Sequence, residues 1–385
     1  AHAKIVSIDI SAAKALKGVH DVITGDYYTK RGGLYLEDKN FLAVNTVKFY
    51  GEPVVAIAAE TPEIAEAACD LVKVEYEPLP VINNPMEGMA KDAVLIHPEL
   101  HTYKVVPIFH PQAHTNISHH HIIRKGDADA AFKYAEEHPD EYYITEHEYH
   151  VPHVQHTPIE NHIAVAQYEP DGKCTVWASC QSPYAVRQAL SATFDIPLNK
   201  MRIISPYVGG GFGAKAGTTI EGIIIPLAMH SKGRPVMMEY TREEEFVNSY
   251  VRQGLYTKIK TAVRKSDGKF LAVQNNFYWD GGAYTEYGVN IVKASGFAST
   301  GPYEFDNVKT DAYCVYTNNP VGGPYRGFGM CEIHFGIEQN IDEVRANCPK
   351  IKHAVDLADE HFFADIYEKY SERSEFASLS DYEAD

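Results

Sequence analysis

The sequence predicts a protein of the α+β class (mixed α/β), divided into more than one domain. Short segments in which apolar and polar residues alternate are interleaved with segments whose apolar residues follow the helical period. Glycine- and proline-rich turns separate these segments. A chain of 385 residues is long enough for two or three hydrophobic cores. We therefore expect several domains built from many short strands and helices.

The first predicted domain is an α/β module over residues 1–85. Residues 1–9, 51–58 and 71–76 have strand patterns, and residues 62–69 have helical spacing. Pro78 and Pro80 then end the unit. No turn or cap precedes the opening strand, so we expect that residues before Ala1 are missing or were removed.

The second predicted unit is a connector over residues 86–135. From residue 83 to about residue 124 the chain is rich in histidine and proline, which favours an irregular surface segment. His119, His120 and His121 are adjacent, but neighbouring side chains on an extended segment point to alternate faces. We therefore predict a loop here rather than a metal site.

The third predicted domain covers residues 136–345, and residues 346–385 form an acidic tail. Predicted strands cover residues 146–151, 163–168, 174–178, 202–207, 236–240, 256–263 and 270–278, and predicted helices cover residues 184–194 and 218–229. The strands on either side of Pro170-Asp171-Gly172 are typical of a hairpin. An amphipathic helix is possible over residues 355–370, but composition leaves open whether the tail is docked or disordered.

Composition narrows the functional class. The net charge of −17 argues against a nucleic-acid surface, which needs clustered Lys and Arg. No apolar stretch has the length of a membrane span, and no signal peptide is visible. The six cysteines have neither zinc-site nor iron–sulfur spacing, so we expect reduced thiols in a cytoplasmic protein.

Two glycine-rich segments carry the strongest functional signal. The first glycine loop is Gly209-Gly210-Gly211-Phe212-Gly213-Ala214-Lys215, between a predicted strand and a predicted helix. The second glycine loop is Pro324-Tyr325-Arg326-Gly327-Phe328-Gly329. Glycine allows a backbone to approach a large flat ligand, while each loop leaves an aromatic side chain to project.

One interpretation of the first glycine loop is a dinucleotide-binding turn, since a strand, a glycine-rich turn and a helix follow one another there. That motif needs an acidic residue about 20 residues further on. Glu239 lies later than that and among other charged residues, and Phe212 would occupy the place of the pyrophosphate. A NAD-dependent oxidoreductase with a Rossmann-like loop stays open as an alternative.

Both loops, with other motifs in the same order, resemble the molybdenum hydroxylase family of xanthine dehydrogenases and aldehyde oxidoreductases. The matching segments are Ala1-His2-Ala3-Lys4-Ile5, Gly51-Glu52-Pro53-Val54, Val74-Glu75-Tyr76-Glu77-Pro78-Leu79-Pro80, the linker from Lys125 to Phe132, His156-Thr157-Pro158-Ile159-Glu160, Gln181-Ser182-Pro183-Tyr184 and Tyr316-Thr317-Asn318-Asn319-Pro320. The resemblance implies an α/β hammerhead-like module followed by the first molybdopterin-binding domain of the xanthine dehydrogenase type. The tail beyond about residue 345 carries none of it.

The resemblance also implies roles for individual residues. The implied cofactor-binding residues are Gly211, Phe212, Gly213, Arg326, Gln155 and Gln181, and the implied substrate-binding residues are Phe328, Ala216 and Thr285. No residue of this chain is expected to ligate the metal directly. No catalytic residue is expected on this chain either, since the glutamate base of the family belongs to a second molybdenum-binding domain.

Three departures from the family pattern bear on the substrate. Ala216 stands where purine-oxidising relatives have an acidic residue, and Thr285 stands where they have an arginine. Gly327 stands where carbon monoxide dehydrogenases place a cysteine. A purine needs polar partners to be selected strongly. The resemblance therefore favours an aldehyde or an aromatic N-heterocycle, oxidised with water as the oxygen source.

Members of the family carry a second molybdopterin-binding domain, and nothing after Arg345 resembles it. The chain is similar to one half of split-subunit forms such as nicotinate dehydrogenase, or to a part of a longer chain, and we expect it to be inactive alone. The implied partners are a second molybdopterin-binding subunit, a 2Fe–2S subunit and a FAD subunit. The pterin's nucleotide form, for example a cytosine dinucleotide, stays open, as does the alternative of a non-catalytic assembly subunit.

Overall fold

The computed structural model describes residues 2–348. Its N-terminal part contains the strands β1 (Ala3–Asp9), β2 (Val19–Thr24), β3 (Thr46–Val47), β4 (Val55–Ala59) and β5 (Lys73–Pro78) and the helices α1 (Ser11–Ala15) and α2 (Pro62–Cys69). Strands β3, β1 and β5 form an antiparallel sheet, and β2 pairs with β4. The strand predicted at the chain start and the helix predicted over residues 62–69 are both confirmed.

Helix α2 shows why the local sequence specifies this part so clearly. Thr61 precedes it in an extended conformation, and its hydroxyl accepts a hydrogen bond from the N–H of Ile64 at 3.4 Å. Pro62 occupies the first turn, where no backbone N–H is needed. Ala68 faces inward and is fully buried. The cap and the small apolar face together start the helix and dock it on β4.

The remaining elements belong to the larger part of the molecule. They are α3 (Pro85–Gly88), β6 (Ile117–Lys125), α4 (Ala128–Glu137), β7 (Tyr142–Val151), β8 (Val154–Gln155), β9 (Ile163–Tyr168), β10 (Cys174–Ala178), α5 (Pro183–Phe194), β11 (Met201–Ile204), α6 (Glu221–His230), β12 (Val236–Glu239), α7 (Arg242–Asn248), β13 (Val251–Arg252), β14 (Leu255–Arg264), β15 (Phe270–Gly282), α8 (Gly288–Phe297), β16 (Asn307–Tyr316), β17 (Gly322–Gly323) and α9 (Met330–Asn347). Within residues 2–348, every helix is too short or too polar to cross a lipid bilayer.

A five-stranded sheet in the order β6-β16-β15-β14-β7 forms the larger core. Strand β14 alternates buried and half-buried side chains along most of its length, as a strand in a packed sheet requires. Helices α8 and α9 cover one face through an apolar cluster that includes Phe277 and Ile337. Helix α4 covers the other face with Phe132 against Ala272.

The prediction of an irregular segment up to residue 124 is wrong for its last part, from residue 117 onward. Residues Ile117–Lys125 form the edge strand β6, antiparallel to β16. His120 stacks on Tyr313 at 4.1 Å and hydrogen-bonds to Asp311, while His119 is buried on the other face against Phe109. The alternation of the histidines is thus as predicted, but cross-strand packing makes the segment a strand. Within residues 2–348 no group of three or more His, Cys, Asp or Glu side chains is placed to hold a metal ion.

A second sheet, in the order β11-β10-β9-β12, packs on helix α6, which also contacts β2 and β4 of the N-terminal part. Strands β9 and β10 coincide with the predicted hairpin, which is confirmed. Helix α6 is buried along almost its whole length, and a Cβ at Gly222 would lie 2.1 Å from the ring of Phe41. The glycine therefore lets the N-terminal part pack directly onto α6. The helix suggested over residues 355–370 lies outside the described residues.

A small third sheet positions the functional loops. Strand β13 pairs antiparallel with β8 and parallel with β17, two residues at a time. Strand β8 runs directly into His156, and β17 runs directly into the second glycine loop. This arrangement brings segments that are more than 160 residues apart in sequence next to each other.

Candidate functional site

The two glycine loops meet backbone to backbone. The N–H of Arg326 donates to the carbonyl of Phe212 at 2.9 Å. A Cβ at Gly213 would lie 2.0 Å from the carbonyl oxygen of Pro324, so only glycine fits there. The structure thus joins the two segments that the sequence singled out separately.

Both loops hold a phenylalanine in the left-handed backbone region. Phe212 has φ of 54° and Phe328 has φ of 53°, and glycines with positive φ follow each of them. Bulky residues rarely adopt this conformation, which costs free energy unless the surroundings impose it. Each loop therefore stores backbone strain at the residue that carries its projecting ring.

An open cleft of about 500 Å³ lies between the loops. Its walls are largely aromatic and apolar. They are formed by Gln181, Ser182, Phe212, Gly213, Ala216, Tyr287, Pro324, Tyr325, Arg326, Gly327 and Phe328. Six of the residues predicted for the site are thus brought together: Gln181, Phe212, Gly213, Ala216, Arg326 and Phe328.

Arg326 is the charged group of the cleft. Its guanidinium carbon lies 5.4 Å from the centroid of the Phe212 ring, a cation–π contact. Among residues 2–348, no carboxylate forms an ion pair with this arginine. An exposed guanidinium without a carboxylate partner, in an otherwise acidic protein, is suited to an anionic ligand.

Gln181 ties the first glycine loop to the start of helix α5. Its Oε1 accepts hydrogen bonds from the N–H groups of Gly213 at 2.8 Å and Lys215 at 3.3 Å. Its own backbone N–H donates to the carbonyl of Lys215 at 2.7 Å. A Cβ at Gly211 would lie 2.5 Å from the same Oε1. With its oxygen fixed in this way, the Gln181 side chain forms part of the cleft wall.

Buried charges support the first glycine loop from behind. The ammonium of Lys215 is buried and donates to the carbonyl and carboxylate of Glu160 at 2.7 and 3.2 Å. Burial lowers the pKa of Lys215, although the charge of Glu160 partly offsets this. His162 Nε2 lies 3.3 Å from the carbonyl of Ala214, and its Nδ1 lies 2.9 Å from Glu245.

Glu245 is fully buried at the far end of this support, on helix α7. Burial alone would raise the pKa of Glu245, but the hydrogen bonds from the His162 side chain and backbone outweigh it and lower the pKa. The carboxylate also accepts from the N–H of His162 at 2.9 Å. The His162–Glu245 pair thus anchors the loop to helix α7.

The second glycine loop is held mainly by aromatic groups. The ring of His156 stacks on Tyr325 at 4.4 Å, and the guanidinium of Arg252 lies 4.2 Å from the Tyr325 centroid. Arg252 in turn pairs with Glu332 in the first turn of α9 at 3.2 Å. Tyr325, next to Arg326, is therefore contacted by both His156 and Arg252.

Three predicted site residues, Gly211, Gln155 and Thr285, are not among the residues that line the cleft. The amide of Gln155 donates to the carbonyl of Glu245 and the hydroxyl of Ser249, at 2.9 and 3.0 Å. The backbone N–H and the hydroxyl of Thr285 both donate to the buried carboxylate of Asp38. Both side chains are used in internal hydrogen bonds, and their roles in cofactor or substrate binding stay predictions.

The structure adds residues that the sequence did not single out. Tyr287 closes one side of the cleft, with its ring edge-on to Phe328 at 6.2 Å and its hydroxyl 3.5 Å from the carbonyl of Ala216. Ser182 lines the cleft beside Gln181. Tyr287 lies seven residues beyond Asp280 on the chain, and no local pattern marks it as functional.

The cleft fits a large anionic group with a flat part. Arg326 supplies an unpaired guanidinium, Gln181 a fixed amide, and the glycines allow a close approach of backbone. The half-exposed ring of Phe212 faces the same space. These features are compatible with an oxyanionic metal–pterin cofactor, and none of the described residues that line the cleft carries a competing negative charge.

Comparisons with known proteins agree with this interpretation. A family described as molybdopterin cofactor-binding domain matches residues 109–352, and one described as aldehyde oxidase and xanthine dehydrogenase, a/b hammerhead domain, matches residues 1–80. Both the predicted fold class and the predicted order of the two modules are confirmed. The NAD-dependent alternative finds no support.

Individual relatives cover most of this chain. The nicotinate dehydrogenase large molybdopterin subunit of Eubacterium barkeri is 34% identical over 86% of this chain and 72% of its own. A probable xanthine dehydrogenase subunit of Bacillus subtilis (strain 168) is 34% identical over 89% of this chain and 43% of its own. The aldehyde oxidoreductase from Desulfovibrio gigas superposes with a TM-score of 0.78 at 25% identity.

The superposition covers 91% of this chain and 38% of the aldehyde oxidoreductase. The chain thus spans less than half the length of two of these three proteins. The matched parts contain both the hammerhead elements and the two glycine loops. On these grounds the chain belongs to the molybdenum hydroxylase family of xanthine dehydrogenases and aldehyde oxidoreductases, of which it carries the hammerhead and a molybdopterin cofactor-binding domain.

Proposed function

We propose that this chain forms one wall of the molybdopterin site in a hydroxylase that oxidises an aldehyde or an aromatic N-heterocycle with water as the oxygen source. The observation that carries the proposal is the unpaired guanidinium of Arg326 over the ring of Phe212, at the contact of the two glycine loops. A fixed cation beside a backbone-lined opening is what an anionic cofactor needs.

The residues of the wall have separate tasks in this proposal. Arg326 binds the anionic part of the cofactor, and Gln181 donates to it from a side chain already fixed by Gly213 and Lys215. Gly211 leaves room for the Gln181 side chain and Gly213 for the Pro324 carbonyl, so the first loop packs closely against the rest of the wall. When bound, the cofactor supplies a metal centre that takes two electrons from the substrate.

The lining also supports the choice of substrate class. Phe212, Phe328 and Tyr287 present three rings to the cleft, and Ala216 adds no polar group. Such walls suit a flat or carbonyl-bearing molecule held by shape and stacking. A purine would find no carboxylate for its N–H groups among the described residues that line the cleft.

The general base belongs on a partner in this proposal. Among the described residues that line the cleft, none carries a carboxylate or an imidazole. Proton transfer from water needs such a group within hydrogen-bond reach. We therefore propose that a second molybdopterin-binding subunit or domain supplies a glutamate, and that this chain has no turnover by itself.

We further propose that electrons leave through a 2Fe–2S subunit to a FAD subunit. Relatives that are themselves named as subunits, such as the nicotinate dehydrogenase large subunit, support an assembly of several chains. The six free cysteines, none of them in a disulfide, support a cytoplasmic location, where thiols stay reduced. A cytosine dinucleotide form of the pterin is one option that cofactor extraction would decide.

The experiment is to purify the complex natively with all its chains and to compare turnover of wild type, Arg326→Ala and Phe212→Ala. We expect turnover to fall about 100-fold in each variant, as for the loss of one fixed electrostatic contact at a reaction centre. Phe297→Ala, at an exposed ring outside the cleft, is the control and should keep wild-type turnover. Unchanged turnover in both cleft variants would favour a non-catalytic assembly subunit and contradict the proposal.

A further inference from the structure

His156 lies between the two halves of the site without lining the cleft itself. Its side chain is buried, with an exposed fraction of 5%. Its Nε2 lies 2.6 Å from the carbonyl oxygen of Pro324, and its Nδ1 lies 3.1 Å from the carbonyl oxygen of Tyr250. One ring thus connects the strand β13 region with the first residue of the second glycine loop.

We propose that His156 is a positioning residue that fixes the second glycine loop, and with it Arg326, by donating a hydrogen bond from Nε2 to the Pro324 carbonyl. The catalytic part of this inference rests on the proposed function, while its structural part does not. His156 touches neither the cleft nor a reacting atom, so it acts only through the loop that it holds.

The Pro324 carbonyl lies where the two loops are in contact. The oxygen that His156 binds is also the atom that a Cβ at Gly213 would meet at 2.0 Å. Two residues later, the backbone N–H of Arg326 donates a hydrogen bond to the carbonyl oxygen of Phe212. A movement of the Pro324 carbonyl would therefore change both the spacing of the loops and the direction of the Arg326 side chain.

The stacking contact acts on the same loop. The rings of His156 and Tyr325 lie 4.4 Å apart with an angle of 27° between them. Tyr325 is the residue directly before Arg326, so the imidazole holds the loop both at a carbonyl and at a ring. A side chain that keeps only the bulk of His156 would lose the hydrogen bond to the Pro324 carbonyl and weaken the contact with the Tyr325 ring.

The ring is expected to be neutral, with its proton on Nε2. Burial lowers the pKa of His156 to about 4, although the nearby carbonyls of Pro324 and Tyr250 oppose the shift. A neutral imidazole has one N–H, and the shorter contact is the one to Pro324. The lone pair of Nδ1 then faces the Tyr250 carbonyl without a hydrogen bond.

Limited trypsin digestion of the full chain tests the structural part, since Arg326 is itself a cleavage site. We expect His156→Leu to raise the cleavage rate after Arg326 about tenfold, because loss of one buried hydrogen bond favours local opening of the loop by that factor. His156→Gln keeps an amide donor and should stay within about twofold of wild type. Cleavage after Lys232, in an exposed turn, should not change in any variant.

His150→Leu is the matched control. His150 also stacks on a tyrosine, Tyr256 at 4.1 Å, but it lies on the exposed side of β7 and touches neither glycine loop. It should leave cleavage after Arg326 and molybdenum content at wild-type values. In the natively purified complex, His156→Leu should lower the molybdenum content, and His156→Gln should restore most of it.

Equal cleavage after Arg326 in His156→Leu and wild type would overturn the inference. If His156→Leu fails to fold, the tautomer of His156 in the wild-type chain tests the inference. Nitrogen NMR of histidine-labelled chain measures it, and the spectrum of His156→Gln assigns the signal. Protonation at Nε2 is the expected result, and protonation at Nδ1 would contradict it. A wild-type complex without molybdenum, but with the expected cleavage pattern, would contradict the proposed function and leave the positioning role intact.

Discussion

The two glycine loops use the same backbone device but are supported by different interactions. Each places a phenylalanine in the left-handed region and follows it with a glycine of positive φ. Behind the first loop lie the ion pair of buried Lys215 with Glu160 and the buried, hydrogen-bonded pair of His162 with Glu245. Behind the second lie the ring of His156 and the cation–π contact of Arg252 with Tyr325.

This difference shows that a strained loop can be stabilised by charge or by shape. Paired buried charges are costly to disturb, because removal of one partner leaves the other buried and unpaired. A neutral imidazole between carbonyls costs less free energy to replace. Its contribution to stability is lost in acid, because burial disfavours the protonated ring. We expect the two loops to fail under different conditions, and the following variants test this.

The largest effect is expected where the loops touch. Gly213→Ala would place a Cβ 2.0 Å from the Pro324 carbonyl at a backbone φ of +119°. We expect a loss of about 4 kcal/mol in the free energy of unfolding, from overpacking and the unfavourable backbone together. Gly233→Ala is the control, because it has φ of +85° but nothing within 4 Å of the added Cβ, and it should cost about 1 kcal/mol. Denaturant unfolding measures both, and equal losses would show that the loop contact does not matter.

The next effect concerns the ionic support of the first loop. Glu245→Gln removes the buried charge that pairs with His162 and should cost about 3 kcal/mol in unfolding free energy. Since the folded pKa of Glu245 lies below its ordinary value, its contribution is present above the ordinary pKa and is lost as pH falls through the folded pKa. Glu243→Gln, an exposed neighbour on α7, should change stability little. Similar unfolding curves for the two variants would contradict the role assigned to this pair.

A smaller effect, the change of unfolding free energy with pH, should distinguish the second loop from the first. The folded pKa of His156, about 4, lies below the ordinary value of 6.5, so the unfolded chain takes up the proton first as pH falls. Its contribution is complete above pH 6.5 and is lost between 6.5 and about 4. Between about pH 7 and about pH 5, wild type should lose about 2 kcal/mol more than His156→Gln. Asp38, whose burial raises its pKa to about 6, titrates in both proteins and cancels in the difference.

The smallest effect on stability is expected at the projecting ring. Phe212 is 41% exposed, so Phe212→Ala should cost no more than about 1 kcal/mol in unfolding free energy. A large loss of turnover with little loss of stability would show that the strained position serves binding rather than folding. Thermal unfolding and turnover of the same preparation give the comparison.

Much of the fold was predictable because local patterns agreed with the final packing. The strands at residues 163–168 and 174–178 and the helix at residues 62–69 carry their own turn or cap signals. Strand β6 was missed because its histidines are unusual in a strand and its partner β16 is almost 200 residues away. Helix α9 was missed because its buried residues are mixed with glycine, asparagine and glutamate, which blurs the helical period.

Only the part of the site that lies in sequence motifs was predictable. Glycine loops are visible in a sequence, and six of the predicted residues line one cleft. The sequence did not indicate that Gln155 turns to Ser249, that Thr285 binds Asp38, or that His156 holds Pro324. The Gln155 and His156 contacts lie beside the three-stranded sheet of β8, β13 and β17, whose two-residue strands have no recognisable pattern. The Thr285 contact joins residues that are 247 positions apart in sequence.

The central claim is that the chain forms a molybdopterin wall, and metal analysis tests it most directly. The natively purified protein, with every chain that co-purifies, would be analysed for molybdenum and iron in wild type and in Gly213→Ala. The account predicts molybdenum and iron together with partner chains in wild type, and molybdenum strongly reduced in the variant. A single wild-type chain that purifies free of metal would contradict it.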